Sequence, residues 1–262
     1  MKNWLRKGFS IGLAATLILG GNGALALAAD NDSSSQMVTD ESGYQYSKEV
    51  MDALDYLNSI REKVGVGKVK LNPFLTKAAE NHANYLMMND YYDGHFEDEG
   101  KPGFTGRSVW ERLKAVGFND SGSIGEGIAK EDDIISAIDR LIYAPYHRMG
   151  LLSMTVSSVG IGAASDGTLV VIGHGDVADK PYSIVYPYDG QRDVDIGFYG
   201  DEIPNPLEKY GLKKSGYIIS YGTSMNLPNK VEHGYDPDVK LVDSRGNPVP
   251  FIVESTMLSM LI

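Results

Sequence analysis

The spacing of apolar residues changes along this chain, and that change limits the fold more than any other feature. Over residues 46–145 the apolar positions recur every three or four residues, which indicates amphipathic helices. The runs Val156–Ile161 and Leu169–Ile172 are instead short and continuous, and the dipeptide Asp166-Gly167 between them favours a β-hairpin. Helices followed by antiparallel strands predict an α+β domain over residues 46–176.

Four helices are expected in the first part of this domain, and capping residues predict some of their ends. Asn72-Pro73 is a typical pair of N-cap and first helical residue. Asp132-Asp133 suits the positive N-terminal end of the fourth helix, which must end by Pro145. The positions expected to face inward are Val50, Leu54, Leu57 and Ile60; Leu75, Ala78, Ala79, His82 and Leu86; Val109, Leu113 and Val116; and Ile134, Ile138, Leu141 and Ile142.

Residues 1–28 have the order of features of a secretory signal peptide. Lys2, Arg6 and Lys7 form a basic end, the segment Phe9–Leu19 is apolar, and small residues follow. The apolar segment is shorter than the roughly 20 residues of a membrane-spanning helix, so an uncleaved anchor is the weaker interpretation. We therefore predict cleavage near Ala28 and a secreted, extracellular product with no membrane span.

The composition excludes several classes of partner. The chain has 24 Lys+Arg against 35 Asp+Glu, a formal net charge of −11, so it has no electrostatic reason to bind nucleic acid or an anionic membrane. It also has no cysteine, so an exported form cannot use disulfides and must be stabilised by its core or by metal.

Composition also predicts the domain boundaries. Residues 29–45 are polar and acidic, which favours a flexible linker. Over residues 177–262, Pro, Gly, Tyr and Asp separate short β-prone runs, which predicts a second, small all-β domain. The chain stops in the apolar segment Met257–Ile262, so we expect this domain to be incomplete.

Three residues are candidates for a divalent metal site. His95, Glu126 and His147 each stand where the pattern suggests that a regular element ends, as residues of a cleft often do. Two imidazoles and one carboxylate can hold a metal ion and leave a coordination position open. The alternative is that they are unrelated polar loop residues. His82 and His174 are interpreted as structural histidines.

A set of short motifs, in order along the chain, resembles bacterial proteins of the CAP superfamily, also called SCP-like domains. The resemblance covers residues 46–176 and implies an α-β-α sandwich with a central cleft. In that family a His, a Glu, a further Glu and a late His line the cleft and can bind divalent metal. The matching motifs are Leu57-Asn58-x-x-Arg61, Leu71-Asn72-Pro73-x-Leu75-x-x-Ala78-Ala79, Gly94-His95-Phe96, Gly125-Glu126-x-Ile128-Ala129, Pro145-x-His147-Arg148 and Val159-Gly160-Ile161-Gly162.

The resemblance places the first His at His95, the first Glu at Glu126 and the late His at His147. The further Glu has no counterpart, because Ala144-Pro145 stands at its expected position. Tyr146 replaces the glycine that usually precedes the late His and is expected to line the cleft. These departures weaken a four-residue catalytic arrangement and leave a three-ligand site open.

The second predicted domain has a looser resemblance to bacterial immunoglobulin-like domains, which usually present or space other domains. The residues that carry it are Tyr186-Pro187-x-x-Gly190, Ile219-x-Tyr221-x-x-Ser224-Met225 and Leu241-x-Asp243-x-x-Gly246-Asn247-Pro248-Val249.

Together these features predict a secreted, metal-capable binding module that acts at or outside the bacterial cell envelope on a cell-wall, lipid or protein ligand. Zinc is the expected metal. One alternative is a metal-dependent hydrolase of peptide or ester substrates, in which Glu126 is a metal ligand or the general base. Lipid or sterol binding is a third hypothesis, and the sequence leaves open whether the protein is an enzyme.

Overall fold

The computed structural model describes residues 37–90, 94–176, 182–223 and 240–253. The predicted signal peptide and the apolar C-terminal segment lie outside the described residues. Within the described ranges, no helix is long and apolar enough to cross a membrane. In chain order the elements are Met37–Thr39 (β1), Gln45–Ser47 (β2), Lys48–Lys63 (α1), Lys70–Leu71 (β3), Pro73–Asn89 (α2), Val109–Ala115 (α3), Ser123–Lys130 (β4), Ile134–Tyr143 (α4), Pro145–Leu151 (α5), Val156–Ala163 (β5), Thr168–Gly175 (β6), Ser183–Tyr186 (β7), Gly197–Phe198 (β8), a 3₁₀ turn Glu208–Tyr210, Ser215–Gly216 (β9) and Ser220–Thr223 (β10).

The four predicted helices are confirmed, and each begins at a side-chain cap. Asn72 Oδ1 accepts hydrogen bonds from the backbone N–H groups of Phe74 and Leu75 (2.9 and 3.2 Å). Ser47, Ser108 and Asp133 cap α1, α3 and α4 in the same way. These caps satisfy N–H groups that the helix itself leaves free, so they define helix starts from local sequence.

Two of the elements that the sequence pattern does not predict carry candidate site residues. Glu126 lies inside β4, which pairs antiparallel with β6 over all eight of its residues. His147 lies in the first turn of α5, which begins at Pro145. The expectation that an element ends at Glu126 is therefore wrong, whereas His147 does come just after the end of α4, inside a further helix. Pro145 follows the end of α4 and also suits the first position of a new helix. The glycines of β4 lower the strand propensity of its sequence.

A four-stranded sheet with the order β3-β5-β6-β4 forms the middle layer, so β4 is an edge strand. On β6, Leu169 and Val171 face a core made with α1 and α4, whereas Val170 and Ile172 face a second core made with α2 and α3. Alternation of side chains along a strand puts these two cores on opposite faces of the sheet. The described residues thus form the predicted three-layer arrangement, with β3 and β5 paired in parallel.

Helix α2 lies directly on strand β5 because two glycines leave room for its backbone. A Cβ at Gly160 would lie 2.1 Å from the carbonyl carbon of Leu75, and one at Gly162 would lie 2.1 Å from the backbone nitrogen of Glu80. Backbone atoms of a helix cannot move away from such a contact without shifting the whole helix. The layer spacing on this face therefore depends on both glycines.

Residues 37–47 form a hairpin, whereas the sequence predicts a flexible linker over residues 29–45. Strand β1 pairs antiparallel with β2. Asp40 Oδ1 accepts hydrogen bonds from the backbone nitrogens of Ser42 and Tyr44 (2.8 and 3.0 Å), which closes the turn. Polar composition alone does not distinguish a flexible segment from a turn that its own side chains stabilise.

Residues of the segment 182–223 pack against the sandwich. Strand β7 pairs with β10 and β8 with β9, each as a two-stranded sheet. Ile184 and Tyr186 of β7 belong to the same core as α1 and α4, so this core crosses the boundary predicted at residue 177. Residues 240–253 contain one bridge, Val242 to Pro248. The immunoglobulin-like fold of residues 177–262 stays a prediction.

We expect Gly160→Ala to lower the free energy of unfolding by more than about 3 kcal/mol, because the new methyl group would overlap the α2 backbone. Urea denaturation of the purified protein measures this. Gly125→Ala is the matched control: Gly125 lies in the same sheet with open space around it, so its effect should stay within about 0.5 kcal/mol. Equal effects of the two substitutions would contradict the close approach of α2 and β5.

Candidate functional site

Glu126 is the centre of a buried ionic cluster on the α2 side of the edge strand β4. Its side chain is only 5% exposed. Oε1 is hydrogen-bonded to His95 Nδ1 (3.0 Å), and Oε2 accepts a hydrogen bond from Arg112 Nη2 (2.7 Å). Arg112 is fully buried and also donates to the backbone oxygen of His95 (3.3 Å). Both oxygens of the carboxylate are therefore engaged by protein groups.

The charges around Glu126 decide its protonation state. Burial by itself raises the pKa of Glu126, because a carboxylate loses hydration inside the protein. The hydrogen bond from His95 and the charges of Arg112, His82 and His95 outweigh burial and hold the pKa below its ordinary value. Glu126 is therefore ionised at neutral pH, and the cluster is held together by opposite charges.

A second buried carboxylate, Glu97, orients the histidine of α2. His82 is fully buried, with Nδ1 2.9 Å from Glu97 Oε1 and Nε2 2.9 Å from the Gly94 backbone oxygen. Glu97 Oε2 also accepts a hydrogen bond from the Thr105 backbone nitrogen (2.6 Å). The interpretation of His82 as a hydrogen-bonded core histidine is confirmed. Sequence reasoning did not identify Glu97 or Arg112, since nothing in their local pattern marks them as buried.

His147 has a different carboxylate partner. Its Nδ1 is 2.8 Å from Glu202 Oε1, and the same oxygen accepts hydrogen bonds from the backbone nitrogens of Tyr146 and His147 (2.8 and 2.9 Å). The Glu202 side chain is completely buried, whereas the His147 side chain is 18% exposed. On the other side of the ring, a Cβ at Gly127 would lie 3.4 Å from His147 Cδ2. The imidazole therefore lies beside β4, on the side of the sheet that also holds Leu141 of α4.

The structure joins two of the three predicted metal ligands directly and places the third beside the neighbouring strand residue. His95 contacts Glu126 on the α2 side of β4, whereas His147 lies near the position that a Cβ of Gly127 would occupy, on the α4 side. Within the described ranges, no group of three or more His, Asp or Glu side chains is arranged to hold a metal ion. Tyr146, expected to line the cleft, is half-buried. The metal site stays a prediction.

The hydrogen bonds of His95 and His147 suit the role of metal ligand, whereas those of Glu126 do not. A metal-binding histidine usually donates its second ring N–H to a carboxylate, which leaves the other nitrogen as the ligand atom. His95 and His147 fit this pattern, since each places Nδ1 on a glutamate. Glu126 does not fit as a third ligand, because both of its oxygens are used and Arg112 lies beside it.

The further glutamate that the resemblance requires is missing from its expected place in the sequence, but a carboxylate is present in the structure. Glu202 lies 55 residues after His147. Local spacing gives no signal for such a contact. The segment around it, Asp201-Glu202-Ile203-Pro204, has the composition of an ordinary loop.

The family comparison agrees with this architecture. Residues 54–173 match the family model named CAP, described as the cysteine-rich secretory protein family. These residues form a CAP domain. The match confirms the family resemblance found in the sequence, over a slightly shorter range than residues 46–176. None of the curated proteins matches the chain in sequence.

Solved structures of bacterial proteins are similar to parts of this chain. An extracellular protein containing an SCP domain from Bacillus anthracis is 20% identical, with a TM-score of 0.43 over 48% of this chain and 40% of that protein. An outer surface protein from Borrelia burgdorferi is 14% identical, with a TM-score of 0.41 over 54% of this chain and 98% of that protein. A cysteine-rich secretory protein from Staphylococcus aureus is 15% identical, with a TM-score of 0.39 over 51% of this chain and 41% of that protein. This chain therefore spans less than half the length of the Bacillus anthracis and Staphylococcus aureus proteins.

We expect Glu126→Gln to lower the free energy of unfolding at pH 7 by about 3–5 kcal/mol, because it leaves the buried charge of Arg112 without its partner. The loss should shrink as the pH falls. Since the folded pKa of Glu126 lies below the unfolded value of about 4.5, its ionic contribution is present above that value and disappears as the pH falls through the folded pKa.

Denaturation curves at several pH values measure this effect, and Glu62→Gln is the control. Glu62 forms an exposed ion pair with Lys68, so its substitution should change stability by less than about 1 kcal/mol at any pH. A pH-independent difference between the wild type and Glu126→Gln would contradict the ionised state of Glu126.

Proposed function

We propose that the CAP domain is the binding module of a secreted protein: it takes up a divalent metal through His95 and His147 and holds a ligand at the bacterial cell envelope without catalysing its turnover. One observation carries the metal proposal. Each imidazole is hydrogen-bonded through Nδ1 to a buried carboxylate, Glu126 or Glu202. Such carboxylates orient metal-binding histidines and increase the basicity of the ligand nitrogen.

The positions of the two rings support this proposal. The His95 side chain is 42% exposed, so its free edge can be reached from solvent. His95 meets Glu126 on one face of β4 and His147 lies beside Gly127 on the other face. Among the described residues no strand pairs with the outer edge of β4, so a metal ion held by both rings would lie at this edge. A bound zinc ion would leave coordination positions open for donor atoms of a ligand.

Binding is favoured over hydrolysis by the state of the two carboxylates. A general base needs a pKa near the working pH and contact with the water that it activates. The pKa of Glu126 is lowered, and both of its oxygens are occupied by His95 and Arg112. Glu202 is completely buried, and its Oε1 already accepts three hydrogen bonds from α5. Neither carboxylate is placed to take a proton from water.

The sequence supports the place of action. A basic end, an apolar segment and small residues in this order are typical of exported chains. The acidic excess of the chain disfavours polyanionic ligands, and a cell-wall fragment, a lipid or a protein remains as the ligand class.

We expect the purified, metal-free protein to bind about one equivalent of zinc, measured by isothermal titration calorimetry. His95→Ala and His147→Ala should each weaken this binding by more than about tenfold, because each removes a ligand nitrogen. His174→Gln is the control, since the His174 ring is buried and hydrogen-bonded to the Ser121 backbone oxygen (3.0 Å). Absence of zinc binding, or equal weakening by all three substitutions, would contradict the proposed metal site.

The non-catalytic part is tested with the zinc-loaded protein on panels of peptide and ester substrates. We expect no turnover above that of free zinc. Turnover that disappears in Glu126→Gln, with zinc binding retained, would show that the hydrolase hypothesis is the correct one.

A further inference from the structure

The carboxylate that holds His147 comes from outside the CAP domain. The family match ends at residue 173, whereas Glu202 follows strand β8. Its Oε1 is bound to the His147 ring and to two backbone N–H groups of α5, and its side chain has no solvent exposure. Its second oxygen, Oε2, is buried and has no hydrogen-bond partner among the described residues. All of its hydrogen bonds to the described residues are therefore made to Tyr146 and His147.

The segment that carries Glu202 is attached to helix α4. The Tyr143 hydroxyl donates a hydrogen bond to the Gly197 backbone oxygen (3.0 Å), and the ring of Tyr143 packs against the buried ring of Phe198, with centroids 5.5 Å apart. Arg140 forms an ion pair with Asp201 (3.7 Å). Residues 197–202 are thus held on the sandwich independently of the contact between Glu202 and His147.

The next residue of α5 is also held by the C-terminal region. Arg148 is fully buried and donates hydrogen bonds to the Ser220 hydroxyl (2.7 Å), the Ile218 backbone oxygen (2.8 Å) and the Tyr217 hydroxyl (2.8 Å). Its guanidinium also lies 4.8 Å from the ring centroid of Tyr186. The first turn of α5 therefore takes its side-chain partners largely from residues that follow the CAP domain.

From this geometry we propose that Glu202 is the positioning residue of His147, and that residues 197–202 complete the CAP-domain site from outside the domain. A carboxylate can only accept a hydrogen bond, so Nδ1 of His147 must carry the ring proton. In the neutral ring this leaves Nε2 unprotonated, whereas an unconstrained neutral imidazole in water prefers the proton on Nε2. Glu202 thus selects the tautomer that can bind a metal or accept a proton at the strand edge.

The effect of Glu202 on metal affinity rests on the proposed function, whereas its effect on the tautomer of His147 can be measured without any metal. The ¹⁵N chemical shifts of a histidine ring show which nitrogen is protonated. We would measure them at about pH 8, where an unperturbed imidazole is neutral, on the metal-free protein with ¹⁵N-labelled histidine. The His147 signals are assigned by their loss in His147→Gln. The variants are Glu202→Ala, Glu202→Gln and the control Glu208→Ala, since Glu208 is an exposed acid of the same region.

In the wild type and in Glu208→Ala we expect His147 to be protonated on Nδ1. Glu202→Ala should move the proton to Nε2 and weaken zinc binding by about 10–100-fold. Glu202→Gln should keep the Nδ1–H tautomer, because the amide oxygen can still accept the hydrogen bond. Rescue by this variant separates positioning from a general loss of structure.

An Nε2–H tautomer in the wild type overturns the proposal, and this holds even when Glu202→Ala does not fold. A folded Glu202→Ala protein that keeps the Nδ1–H tautomer also overturns it. A shift of tautomer in a protein that binds no zinc supports the positioning role and contradicts the metal-binding function instead.

Discussion

The buried ion pair between Arg112 and Glu126 is the interaction on which the arrangement of the site depends. Two full charges in the interior are tolerated only when each has an opposite charge and hydrogen bonds to replace water. Glu126 obtains these from Arg112 and His95, and Arg112 also binds the His95 backbone oxygen. Helix α3, strand β4 and the segment around His95 therefore have to come together for either charge to be buried. The orientation of the His95 ring is a consequence of that requirement.

The second imidazole of the site is held by a different chemistry. Within the part of the chain that the structure describes, no arginine donates a hydrogen bond to Glu202; it accepts hydrogen bonds from the first turn of α5, including the His147 ring. One histidine is thus oriented from within the CAP domain and the other from the segment after it. Ile184 and Tyr186 of the same C-terminal region also belong to the hydrophobic core of α1 and α4. The region contributes to the site as well as to stability.

Much of the sandwich could be predicted from the sequence because its signals are local. Asn72 and Asp133 cap helices through their own side chains, and Asp166-Gly167 joins β5 to β6. Strand β4 was missed because Gly125 and Gly127 lower its strand propensity, while its stability comes from pairing with β6. The sequence does not predict helix α5, because a proline ends the preceding helix and can equally be the first residue of a new one. The sequence marks His95 and Glu126, together with His147, as candidate ligands of one site, but nothing in it marks Arg112.

What the sequence by itself determined is the period of helices α1 to α4, the caps Asn72 and Asp133 and the β5–β6 hairpin. It also marked His95, Glu126 and His147 as candidate site residues. These features depend on residues only a few positions apart. Only the tertiary structure decided which carboxylate each histidine meets, because such contacts join residues 31 and 55 positions apart. A buried carboxylate needs hydrogen bonds or an opposite charge in place of water. Glu126 finds these at Arg112 and His95 and Glu202 finds them at α5, and both sets of partners are in place only when the layers pack together.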